Sequence, residues 1–131
     1  MTPAPRILIV DDETPILFLL GRILAAEGYH VATASNGDEA LRLARLHHFD
    51  LFLVDLIMPS KDGIETILAL RARQFRTPII AMSGGWSGGA RNCLPLAEKL
   101  GANDTLAKPF GRDELLETIR KHTTKKKLMA V

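Results

Sequence analysis

At 131 residues, with 47% apolar and 24% charged side chains, the chain suits one soluble globular domain large enough to bury a core. A single cysteine, Cys93, excludes an intrachain disulfide and reads as a small packing residue, and no apolar run nears the ~20 residues that span a bilayer. The net charge of +2 is uneven: residues 1–119 hold 12 Lys/Arg against 15 Asp/Glu, a balance of −3, and residues 120–131 add five basic groups and no acid.

Strand and helix signals alternate along the chain. Residues 6–10 form an apolar strand that merges directly with the N-terminus, with no sign of a signal peptide, so a cytoplasmic protein is expected. Thr14-Pro15 offers an N-cap and a first-turn proline, and Ile16, Leu19, Leu20, Ile23 and Leu24 recur at helical spacing up to Gly28. Residues 30–34 make a weaker strand. Asn36 with Glu39 can cap a helix to about Leu46. His47-His48 suits the dipole at its end, whereas His30 and His122 show no partner.

Residues 50–55 form the third strand, followed by a Pro59/Gly63 loop. Asp62 and Glu65 offer a capping pair for a helix to about Gln74. Residues 77–82 are the fourth strand. A glycine-rich stretch, Gly84 to Gly89 with Trp86 inside it, leads to a helix near 91–100, which Gly101 ends. Residues 103–107 make the fifth strand, and Arg112 to about Lys121 the last helix. Strict alternation calls for a parallel sheet with helices on both faces. The domain is expected over 1–122, with a solvated basic tail at 123–131, and direct nucleic-acid binding is not expected from that tail.

The chemistry collects where the strands end. The first strand ends in Asp11 and Asp12, the third in Asp55, the fourth before Ser83 and the fifth before Lys108. In a parallel sheet these ends share one edge, the edge where open α/β folds hold ligands. Three carboxylates together raise at least one pKa unless a cation sits among them, and an all-oxygen set suits Mg²⁺. An acid can act as nucleophile toward a phosphoryl group, a lysine can meet its oxygens and a serine hydroxyl can donate to them.

Val10-Asp11-Asp12-Glu13, then Val54 to Pro59 with Gly63, then Ser83-Gly84 and Lys108-Pro109-Phe110 resemble the receiver domain of two-component response regulators, over residues 5 to about 121. The resemblance implies an α/β, flavodoxin-like (βα)5 doubly wound sheet of strand order 2-1-3-4-5. It implies Asp55 as phosphoacceptor, Mg²⁺ held by Asp11, Asp12, Asp55 and the Ile57 backbone carbonyl, Ser83 as switch hydroxyl, Lys108 as counter-charge, and a cis bond before Pro109. One departure stands out. Thr105 occupies a position where receivers usually carry an aromatic switch residue, so the glycine-rich stretch with Trp86 is expected to take over that role, with Trp86 as a partner contact or a plug.

The resemblance further implies a histidine kinase or histidine phosphotransfer protein as donor. A downstream protein partner would read the face built from helix 4, strand 5 and helix 5. No membrane association and no ordinary enzymatic turnover are expected. The chain would act alone or as a piece of a longer one, and its basic end favours a complete small protein. Two rivals remain: an aspartyl-phosphate phosphatase of haloacid dehalogenase type, and a receiver-fold interaction module that needs no phosphorylation.

Overall fold

All five residues of β3 (Leu51–Asp55) are buried, as are the last four of β1 (Arg6–Val10). Such unbroken apolar runs belong to strands covered on both faces. In the computed structural model, which describes residues 4–58, 63–73, 76–84 and 93–129, they are two of the three inner strands of a five-stranded parallel sheet. The order is β2-β1-β3-β4-β5, with β2 (His30–Ala34), β4 (Ile79–Gly84) and β5 (Asp104–Lys108) completing it. This is the flavodoxin-like order expected. Five helices alternate with the strands: α1 (Thr14–Ala26), α2 (Gly37–Leu46), α3 (Gly63–Ala72), α4 (Cys93–Leu100) and α5 (Arg112–Met129).

Alternate residues of each strand feed two separate cores. Ile7, Ile9, Leu51, Leu53, Ile80, Met82 and Leu106 meet Leu17, Leu20 and Leu24 of α1 and Leu115, Leu116 and Ile119 of α5. Leu8, Val10, Phe52, Val54, Ile79 and Ala81 point the other way, onto Ala40, Leu41 and Ala44 of α2, Ile67 and Leu70 of α3 and Ala97 of α4. Burial on both faces holds the central strands rigid, so their carboxyl ends form a fixed frame.

The helix ends follow from local chemistry. Asn36 Oδ1 accepts the Glu39 N–H at 2.8 Å, the cap the sequence offered. Gly28 takes φ +92° and its N–H meets the Ala25 carbonyl, closing α1. At Gly101, φ is +135°, and an added Cβ would lie 2.8 Å from Arg71 Cγ. That space is used by the Arg71 guanidinium. It donates to Gly101 O (3.1 and 2.7 Å), Thr77 O (3.0 Å) and Asn103 Oδ1 (2.8 Å), tying α3 to the turn before β5 and to the start of β4. Asn103 Oδ1 also accepts the Ile79 N–H at 2.9 Å.

Several expectations need correction. Thr14 is the first residue of α1 rather than its cap; Glu13 holds the cap position without a side-chain bond, and Pro15 lies in the first turn. The buried stripe of α1 is Leu17, Leu20 and Leu24, whereas Leu19 is 55% exposed; a helix so apolar all round hides its phase from periodicity. The fourth strand begins at Ile79, two residues late: Pro78 has no N–H to give the ladder, and the first pair with β3 is Ile79 with Phe52. α5 runs on to Met129 instead of stopping near Lys121, so the expected tail is helical up to that residue. Asp62, Gln74 and Trp86 lie outside the described residues.

Candidate functional site

Because all five strands are parallel, their carboxyl ends share one edge. Asp11 and Asp12 follow β1, Asp55 ends β3 and Lys108 ends β5. Met82 pairs with Asp55 across the ladder and Ser83 is the next residue of β4, opposite Ala107. The five residues singled out from sequence therefore lie at one edge of the sheet. Ser83 and Lys108 are the last or next-to-last residues of their strands rather than the residues just beyond them.

The acids differ sharply in setting. Asp11 is fully buried and Asp55 is 4% exposed, whereas Asp12 faces solvent. One oxygen from each lies within 4.8 Å of the others. Asp11 has both oxygens engaged: Oδ1 accepts the Glu13 N–H at 3.0 Å, and Oδ2 accepts from Lys108 Nζ at 2.9 Å. The same ammonium stands 3.6 Å from Asp55 Oδ2. The Ile57 N–H points at Asp55 Oδ1 from 3.5 Å, a long contact, and the Ile57 side chain is outward. Lys108-Pro109 is cis, as the resemblance implied.

The electrostatics follow from this crowding. Burial pushes the Asp55 carboxyl up from 3.8 to about 7, the neighbouring Asp11 and Asp12 push the same way, and Lys108 and the Ile57 N–H oppose them. The raised acid foreseen from charge repulsion is thus present, but loss of water is its first cause and repulsion the second. Burial alone would lower the Lys108 ammonium. The hydrogen bond to Asp11 and the charges of Asp55, Asp11 and Glu13 outweigh it and leave Lys108 above its ordinary value. Lys108 therefore stays a cation wherever the acids are ionised.

The donor set fits a small hard cation. Three carboxylates offer oxygen alone, one of them is open to water, and one oxygen of each lies within 4.8 Å of the other two, a cluster that a hard cation can draw together. Of the remaining residues, Thr105 is half-buried on β5 opposite Ala81, with its N–H bonded to Asp104 Oδ1 at 2.9 Å. His122, which gave no signal in sequence, lies 3.0 Å from Asp104 Oδ2. Arg71 was also missed, since its partners are up to 32 residues away and no local pattern marks them.

A model of the response regulator receiver domain matches residues 7–120. The chain is 40% identical over 115 residues to the transcriptional regulatory protein CpxR of Escherichia coli strain K12, covering 88% of this chain and 47% of that protein. It is 38% identical over 117 residues to the transcriptional regulatory protein PrrA of Mycobacterium tuberculosis, covering 89% and 49%. The chain thus spans about half the length of the curated relatives it matches. Among solved structures, the receiver domain of the Francisella response regulator 1452 superposes with a TM-score of 0.84 at 30% identity, covering 93% of this chain and 98% of that one. The Vibrio cholerae chemotaxis protein CheY4 gives 0.81 at 31% identity, covering 91% and 98%. Among the described residues no helix is long and apolar enough to cross a membrane.

Proposed function

The chain belongs to the response regulator receiver domain family, and from that premise we propose that Asp55 accepts a phosphoryl group from a phosphohistidine donor. The donor is a histidine kinase or a histidine phosphotransfer protein. One observation supports this reading above the others: the Lys108 ammonium stands 2.9 Å from Asp11 and 3.6 Å from Asp55, beside a third carboxylate, at the ligand edge of the sheet. An acid, a cation and an acidic pocket in that relation suit phosphoryl transfer, where positioning and charge neutralisation do most of the work.

In the step proposed, an Asp55 carboxylate oxygen forms the new O–P bond as the donor's N–P bond breaks. The electron pair of that bond stays on the imidazole, which then takes a proton from solvent. Asp11, Asp12, Asp55 and the Ile57 carbonyl would hold Mg²⁺, which when bound supplies positive charge against the phosphoryl oxygens. Lys108 meets one of those oxygens as a compact cation, and Ser83 donates its hydroxyl to another. Burial of Asp55 keeps competing water away and strengthens each of these charge contacts. The resulting change is read by a downstream protein on the face formed by α4, β5 and α5.

Incubation with Mg²⁺ and acetyl phosphate, followed by intact mass measurement, tests the reading. The wild type is expected to gain one phosphoryl group, about 80 Da, and Asp55→Asn none. A wild type that stays unmodified, or steady turnover of a phosphomonoester with no dependence on Asp55, would overturn it.

A further inference from the structure

Gly63 opens α3 directly behind Asp55, and it is packed there without room for any side chain. A Cβ at this position would collide with the backbone oxygen of Asp55 and would lie 2.5 Å from Leu56 Cα and 2.8 Å from the Asp55 carbonyl carbon. Real Cβ atoms do not approach backbone so closely, and backbone cannot swing aside as the end of a side chain can. The φ of Gly63 is not in the left-handed region, so it is the missing volume rather than conformational freedom that the site uses. Its N–H donates to Leu56 O at 2.9 Å, returning the chain to the strand end it left. On the other side, the Leu56 N–H bonds to Met82 O at 2.9 Å, so β4 fixes the Asp55–Leu56 peptide.

Asp55 and Leu56 are thereby held between two fixed supports, the last pairs of the β3–β4 ladder and the first residue of α3. Ile57, whose N–H faces Asp55 Oδ1, follows immediately. Reactive groups must be held to within a few tenths of an ångström to act at full rate. From this geometry we infer that Gly63 is a positioning residue: its bare Cα lets α3 press on the Asp55–Leu56 peptide and so aims the Asp55 carboxylate and the Ile57 carbonyl into the acidic pocket. The inference rests on Asp55 being the phosphoacceptor. It assigns to Gly63 no contact with the phosphoryl group.

Two other glycines supply controls. A Cβ on Gly111 meets nothing within 4 Å, and one on Gly21 meets only Val31 Cγ1 at 3.7 Å. Ile67→Val supplies a third, since it deletes one methylene from the buried side of α3. The wild type, Gly63→Ala, Gly21→Ala, Gly111→Ala and Ile67→Val are compared in Mg²⁺ and acetyl phosphate, with the initial rate of mass gain followed against phosphodonor concentration. Gly63→Ala is expected to lose at least tenfold in maximal rate with little change in the half-saturating concentration. Gly21→Ala, Gly111→Ala and Ile67→Val keep the wild-type rate. Backbone amide spectra of the magnesium-free proteins give an independent reading: the Gly63→Ala shifts should centre on Asp55, Leu56 and Ile57.

Wild-type rates in Gly63→Ala, or amide shifts confined to α3, would overturn the inference. If Gly63→Ala does not melt cooperatively, the comparison is repeated at low temperature with a stabilising osmolyte. A chain still unfolded there would assign Gly63 to the fold alone and overturn it as well. A wild type that takes no phosphoryl group would remove the underlying reading, a result distinct from Gly63→Ala and wild type labelling equally.

Discussion

Asp55 is an acid kept where acids ionise poorly, and that has a measurable consequence. Its carboxyl sits near 7 in the folded protein against 3.8 for the ordinary side chain, so between those values the native state binds the extra proton. Stability of the metal-free protein therefore falls as pH rises from about 4 to about 7, then levels. Asp55→Asn should flatten that slope and leave the protein more stable at neutral pH, by up to about 4 kcal/mol. Urea melts in a chelator across this range read both effects. A wild type whose stability rises through the window relative to Asp55→Asn would refute the assignment. The identities at this scale were legible because each acid, hydroxyl and amine follows an apolar run. The Lys108–Asp11 contact was not, since the two are 97 positions apart. Nor was the pairing of His122 with Asp104, for the same reason at shorter range.

Elements were legible where one residue type decides a boundary, as at Asn36, Gly28 and Gly101. They were misjudged where tertiary pairing decides. The start of β4 depends on the pairing of Ile79 with Phe52 and on the Asn103 side chain, and the buried side of α1 depends on the sheet beneath it. The length of α5 depends on backbone bonds that charge composition does not reveal. Arg71 shows how much hangs on such unseen partners. One guanidinium links α3, the start of β4 and the turn into β5. Arg71→Met keeps much of the aliphatic stem but removes every donor, leaving three carbonyl-type oxygens short of a partner. A loss of about 2 kcal/mol is expected in urea unfolding. A loss below about 0.5 kcal/mol would mean that water replaces the guanidinium without penalty.

At the scale of the molecule, two apolar cores share one sheet, and neither has strands of its own. The chain should unfold in one cooperative step by heat, with circular dichroism and calorimetry coinciding. A ligand gripping the sheet edge then stabilises both layers together. Mg²⁺ at ten times its dissociation constant should add about 1.4 kcal/mol, a few degrees in Tm, and Asp12→Asn should remove most of that gain. An equal shift from Mg²⁺ in both proteins would place the ion elsewhere. The Lys108 side chain shapes what such a ligand meets. It leaves the outer strand β5, passes over the ends of β4 and β3, and ties to the acid after β1. One ammonium thus serves as a rope across the open rim. Any newcomer anion at Asp55 must compete with Asp11 for it, so arrival on β3 slackens the tie between β5 and the acid after β1.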